Sequence, residues 1–249
     1  MAGKRGEFAI APVVAGQLTL VSNLPAPGWN NGDTPEGVKD GYEYCLAANI
    51  AWRLGLDRVK FVNVDYDMLV GGKVKDFDLA LSQISITEKR KEVAKFSAPY
   101  FENGIGLLVK KGRKLSGGDI GSLRIGVQMG TVAADFVPDR LKPKVAAKVY
   151  PDAPALFTAL MADKVDAVMT DTTVVLEQAA ASRGKLEVVG QYSTGEQFGA
   201  LFPKTSADAA ILDKVIASLI ADGTTNRLSS KYLAAAFGGD PNGVPYFKP

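Results

Sequence analysis

Three short stretches of this chain place groups that bind small ions directly after apolar runs of strand length. The first is Phe77-Asp-Leu-Ala-Leu-Ser82-Gln-Ile-Ser85-Ile-Thr-Glu-Lys-Arg90. It sets hydroxyls and then a guanidinium just past the C-terminal end of a strand, where open α/β sheets bind ligands. A planar guanidinium pairs both oxygens of a carboxylate, so Arg90 with Ser85 suits a carboxylate. The competing reading is a solvated charge run, Glu88-Lys-Arg-Lys-Glu92, with weak ion pairs. The second stretch runs from Leu123 through Gln128 to Gly130-Thr131. Its helix start offers amide donors for an anion, or Thr131 is simply an N-cap. The third, Val165-Asp-Ala-Val-Met-Thr170-Asp171-Thr172, ends a buried strand on a carboxylate. Asp171 either caps the following helix or faces an ammonium. Together the three offer complementary charges, and that combination matches a zwitterion.

These groups need rigid elements behind them. The pattern predicts strands at 17–22, 59–64, 77–81, 105–110, 123–128, 144–149, 165–169, 186–189 and 198–202. It predicts helices at 42–54, 131–140, 153–162, 172–182, 207–221 and 224–236. Strands alternating with helices argue for parallel α/β units. Polar, glycine-rich joints at 110–118 and 190–196 divide the series. The fold class expected is therefore α/β, with two Rossmann-like lobes joined by two hinge crossings and a ligand cleft between them. Lobe 1 is 17–109 plus 196–249, lobe 2 is an inserted 110–195, and 1–16 is a leader or disordered tail.

Composition narrows the chemistry. The chain has 249 residues, no histidine, one cysteine (Cys45) and a net charge of +2. Without histidine, Ser-His and Cys-His nucleophile pairs and histidine zinc sites are excluded. One cysteine allows neither an internal disulfide nor a thiolate cluster, so no metal and no cofactor is expected. The near-neutral balance, with lysines interspersed among acids, gives no footprint for nucleic acid. No apolar run is long enough to span a membrane. Lys4 and Arg5 precede small apolar residues, but Glu7 and Pro12 interrupt any signal-peptide pattern.

Asp78 to Arg90, followed by Phe96-Ser-Ala-Pro-Tyr100 and Leu107-Leu-Val-Lys-Lys111, resembles the polar amino-acid-binding family of bacterial periplasmic solute receptors. Gly41-Tyr-Glu-Tyr-Cys-Leu-Ala47, Gly130-Thr131, Asp166-Ala-Val-Met-Thr-Asp171 and Phe198-Gly-Ala-Leu-Phe-Pro-Lys204 follow in that family's order and spacing. The resemblance covers about 17–236. It implies a two-lobed receptor, periplasmic or extracellular, that closes on an amino acid or related carboxylate and passes it to the permease subunits of an ABC importer. It also implies that Arg90, helped by Ser85 and the Thr131 region, holds the ligand carboxylate. Asp171, Ser85 and the Gln83 carbonyl would then meet the ammonium, and the Tyr66 ring would cover the ligand. Read without the resemblance, Tyr66 is an ordinary half-buried aromatic. Asn23 and Trp29 fall in the loop that lines the side-chain pocket, and Gln128 belongs to the second-lobe set. Asn23 replaces a frequent aspartate, Ala26 replaces a frequent aromatic, and Gln83 and Gln128 replace commoner residues. Loss of the aspartate leans toward a neutral ligand over a simple cationic one. A dehydratase of cyclic carboxylates on the same scaffold, with Glu196 or Asp171 as acid, is the rival reading, and a sensor ectodomain is a third.

Overall fold

The computed structural model of the chain describes residues 1–113, 120–237 and 244–247. In chain order it holds β1 (Gln17–Ser22), α1 (Tyr42–Arg53), β2 (Arg58–Asn63), α2 (Tyr66–Val70), β3 (Leu79–Ala80), α3 (Glu88–Lys91), β4 (Ala94–Phe96) and β5 (Phe101–Lys110). There follow β6 (Ile125–Gln128), α4 (Val132–Phe136), β7 (Lys148–Tyr150), α5 (Ala153–Met161), β8 (Ala167–Asp171), α6 (Thr172–Ala181) and β9 (Leu186–Phe198). β10 (Leu201–Pro203), α7 (Ala209–Ala221), α8 (Thr224–Leu228) and α9 (Ala234–Phe237) come last. The chain divides into two compact units, Met1–Glu102 with Gln197–Ala235 and Asn103–Glu196 with Ala236–Pro249.

Unit 1 is built on a sheet of order β2-β1-β3-β10-β4. β1 is parallel to β2 and β3, with Leu20 opposite Phe61 and Val21 opposite Ala80. β10 is antiparallel to β3 and β4. Val21, Leu69, Val70, Phe77, Ala80, Ile84, Ala94 and Leu201 form one apolar cluster of this unit. α1 buries Leu46, Ala47 and Ile50, the helical spacing of an inward stripe.

Unit 2 contains the sheet β7-β6-β8-β5-β9. β6 is parallel to β7 and β8, and β5 is antiparallel to β8, with Ile105 opposite Asp171. Ile105, Leu107, Val109, Ile125, Val127, Ala167 and Met169 fill one core, and Leu156, Leu160, Val168 and Val175 belong to a second. Both sheets are thus mixed, not wholly parallel. A parallel neighbour needs a crossover helix; β5 and β10 enter directly from the preceding strand without one.

Three expectations change. The chain passes between units at Glu102–Asn103, at Glu196–Gln197 and again at Ala235–Ala236, one crossing more than the two expected. The last arises because Gln191 donates its amide to Pro245 O (2.8 Å) and Phe247 donates to Gln191 O (2.7 Å), tying 244–247 to β9. β9 also runs unbroken through the expected joint at 190–196. Gly190 reads as a breaker in sequence, yet a Cβ there would lie 2.1 Å from the Phe247 ring, so the glycine makes room for that ring against the strand. Residues 114–118 of the other expected joint lie outside the described residues. Finally, the segment 1–16, expected as a leader or disordered tail, has residues bonded to the rest of unit 1. Gly6 and Phe8 donate to Trp52 O and Arg53 O (3.1 and 3.0 Å), and the Arg5 guanidinium pairs with Asp57 at 2.5 Å.

The start of α1 shows how closely this fold is fitted. Gly41 has φ 115, and a Cβ there would lie 2.4 Å from Trp29 O. The obstacle is main chain, which has little room to yield. Gly41→Ala is expected to cost about 3 kcal/mol of unfolding free energy in denaturant titration.

Candidate functional site

Unit 1 carries the first set of groups on the loop from β3 to α3. Ser82 Oγ accepts from the Asn23 amide at 3.0 Å. Further along, Ile86 N donates to Gln197 O (2.8 Å) and Gly199 N to Ile84 O (3.0 Å), so the loop is stitched to the end of β9. Thr87 then caps α3, its hydroxyl accepting from Arg90 N at 3.2 Å. Within this frame Arg90 is 7 % exposed, whereas Glu88, Lys89, Lys91 and Glu92 are all exposed. The charge-run reading therefore describes the neighbours and not Arg90. Its guanidinium donates to Ser85 O at 2.6 Å and to Tyr66 Oη at 3.2 Å, and lies 5.7 Å from the Tyr66 ring centroid. Bonds and a π face on one side hold the fork in a fixed direction. Tyr66, Ser85 and Arg90 are thus brought together, and the Tyr66 ring serves Arg90 as well as the local packing.

Glu43, which the spacing of motifs does not single out, holds this loop from beneath. It is 0 % exposed. Its Oε1 accepts from Gln83 N (2.7 Å) and Tyr100 Oη (2.6 Å), and its Oε2 accepts from Asn30 Nδ2 (3.1 Å). Burial pushes its carboxyl up to about 7, and the bonds from Tyr100, Gln83 and Asn30 counter part of that rise. A signal exists in the sequence: Glu43 shares the inward face of α1 with Leu46, Ala47 and Ile50, and an acid on such a stripe must have partners. The bond to Gln83 also fixes a residue in the left-handed region, φ 52.

Two other expected residues have structural contacts of their own. Asn23 donates its side-chain amide to Val64 O at 2.8 Å, joining the end of β1 to the end of β2. Trp29 is 0 % exposed, edge-on to Tyr42, Phe101 and Phe198 with centroids 5.1–5.8 Å apart. A ring with no exposed surface fills the core of unit 1 and does not line a pocket wall. The expectation for Trp29 is corrected on that ground.

Unit 2 carries the second set at the ends of β6 and β8. After β6 the chain turns at Gly130, φ 76, which suits glycine. The Thr131 hydroxyl donates to Gln128 O (2.8 Å) and accepts from Ala134 N (3.3 Å), so Thr131 is the N-cap of α4. Gln128 and Thr131 are both buried. Asp171 ends β8 and stands at the N-cap position of α6, yet its side chain makes no cap bond to that helix. The capping alternative, sound for Thr131, thus fails for Asp171. Among the described residues no cluster of acids and cysteine fit to hold a metal ion occurs, and no described helix is long and apolar enough to cross a membrane.

Two mixed α/β units, each presenting polar residues at strand ends, define the architecture of a solute receptor. Residues 26–235 match the family described as bacterial extracellular solute-binding proteins, family 3, and the chain belongs to it. It is 27% identical over 204 residues to the L-cystine-binding protein TcyJ of Escherichia coli strain K12, covering 80% of this chain and 76% of that one. It is 28% identical over 237 residues to the octopine-binding periplasmic protein of Rhizobium meliloti, with 82% and 79% covered. Among solved structures, an ancestral arginine-binding protein bound to arginine superposes with a TM-score of 0.76 at 29% identity, over 87% of this chain and 98% of that one.

Proposed function

We propose that this chain is an extracytoplasmic receptor that captures an amino acid or amino-acid-like zwitterion and delivers it to the permease subunits of an ABC importer. The observation that carries the reading is Arg90: a buried guanidinium, aimed by Ser85 O and Tyr66, in a run of otherwise exposed charges. In this reading Arg90 takes the ligand carboxylate, with Ser85 beside it and the Tyr66 ring against the ligand. Asp171 takes the ammonium, together with the Gln83 carbonyl, while Gly130, Thr131 and Gln128 supply further polar contacts from unit 2. Relatives whose names specify cystine, octopine or arginine support an amino-acid-like ligand for this chain. The dehydratase reading has no such support among the relatives. The names of the relatives, all binding proteins, favour capture over that reading, in which Glu196 or Asp171 would be the acid.

A thermal-shift screen against the common amino acids, L-cystine and octopine tests this reading. A native-state ligand at a hundred times its Kd stabilises by about 2.7 kcal/mol, a rise in Tm of roughly 5–10 °C for a chain of this size. No rise with any member of that panel would overturn the proposal.

A further inference from the structure

Gln83 joins three features that seldom coincide in one residue. Its backbone is left-handed at φ 52, a conformation that strains any side chain but glycine's. The strained amide is held by Glu43 Oε1 at 2.7 Å, so the residue cannot relax to an ordinary turn. The residue is 9 % exposed, and its buried Oε1 accepts no hydrogen bond from any described residue. Glycine would satisfy the backbone without strain, and an apolar side chain would avoid the unmet acceptor. The chain thus carries two costs at one position, beside Ser85 and Arg90. Strain and unmet polar groups kept together mark functional positions.

We infer that the side-chain oxygen of Gln83 is a specificity group, accepting a hydrogen bond from an N–H of the bound ligand. The inference rests on the receptor reading above and adds the chemical class selected: a ligand with a nitrogen donor within reach of Gln83, in preference to an analogue of the same shape without it. A site built to receive a donor disfavours the analogue lacking it, because the acceptor then stays buried and unpaired. The role differs from the carbonyl contact proposed for the main chain, since any residue could supply that carbonyl. Glu43 acts as a positioning residue: it touches Gln83 N, and through it sets where Oε1 points.

Two variants separate the side chain's chemistry from its fit. Gln83→Gly keeps the amide that Glu43 holds and relieves the strain; Gln83→Met keeps length and burial but has no comparable acceptor. Calorimetry would be run on wild type and both variants with L-glutamine, L-arginine and L-cystine. The same titrations would include glutaramate and guanidinovalerate, which lack the α-amino group, and L-norleucine, which lacks a side-chain nitrogen. The inference expects Gln83→Gly to melt no lower than wild type. Both variants should bind the best nitrogen-bearing probe about tenfold to a hundredfold more weakly, and should lose wild type's preference for it over one of the analogues. If wild type binds none of these probes and no member of the thermal-shift panel above, the receptor reading falls and this inference with it; a panel member that wild type does bind is titrated against both variants in the same way. If wild type binds and either variant matches it in affinity and preference, the inference alone falls. A match by Gln83→Met would show that the side chain fills space without pairing.

Discussion

Arg90→Ala is expected to weaken ligand binding by about 2–5 kcal/mol, some thirtyfold to several thousandfold in Kd. The size follows from what the ligand would lose. A carboxylate buried without its guanidinium keeps the cost of leaving water and has no equal partner to offset it. Lysine should not rescue the loss. Its ammonium is a point charge on a flexible stem, whereas Arg90 is a fork aimed by Ser85 O at 2.6 Å and by Tyr66. The folded state should survive the change at a cost of about 1–2 kcal/mol, the Ser85 carbonyl losing one donor. Isothermal calorimetry with the ligand found by thermal shift measures the first quantity and denaturant titration the second. Normal binding by a folded Arg90→Ala protein would remove Arg90 from the site.

The second large effect is on stability against pH. The Glu43 carboxyl sits at about 7 in the folded chain, against an ordinary value of 4.5. Between those values the folded chain keeps a proton that the unfolded chain has released. The resulting stabilisation is fully present below about pH 4.5 and drains away as pH rises to about 7, on the order of 3 kcal/mol in all. Half-buried Glu177 adds a contribution of the same sign, its carboxyl pushed up to about 8 by burial alone. Glu43→Gln should therefore flatten the fall in Tm between pH 5 and 7 and raise Tm at pH 8. The glutamine oxygen still accepts from Gln83 N and Tyr100 Oη. A turned Asn30 amide can accept from its NH2, using the Asn30 oxygen that has no partner among the described residues. An unchanged slope in Glu43→Gln would show that Glu43 is not the group that titrates.

How much of this is legible in the sequence depends on the range of the forces involved. β1 appears at 17–22, where alternation and turn signals are local. α1 likewise covers 42–53 of the 42–54 expected. β9 reads as shorter than it is because Gly190 carries no mark, in sequence, of the ring from residue 247 that lies against it. The unit crossing at 235–236 escapes a sequence reading for the same reason, since it depends on pairing between Gln191 and Pro245. Arg90 is visible as a type in a pattern, but only its burial among exposed neighbours separates it from a charge run. Trp29 is misplaced by sequence because a loop position near a strand end says nothing of the three rings around it. Glu43 is the opposite case: its place on an apolar stripe announces a buried acid, in a signal as local as that of α1 itself.

The two tryptophans, Trp29 and Trp52, both belong to unit 1, and unit 2 has none. Indole emission is therefore a reporter of one half of the molecule. Trp29, enclosed by aromatic rings, should dominate the spectral change as that half comes apart, while Trp52 is closer to water. Far-ultraviolet dichroism averages over both halves. Recorded on a single sample, the two signals offer a direct measure of cooperativity: coincident curves mean one melting event for the whole chain, and separated curves mean that each half melts on its own.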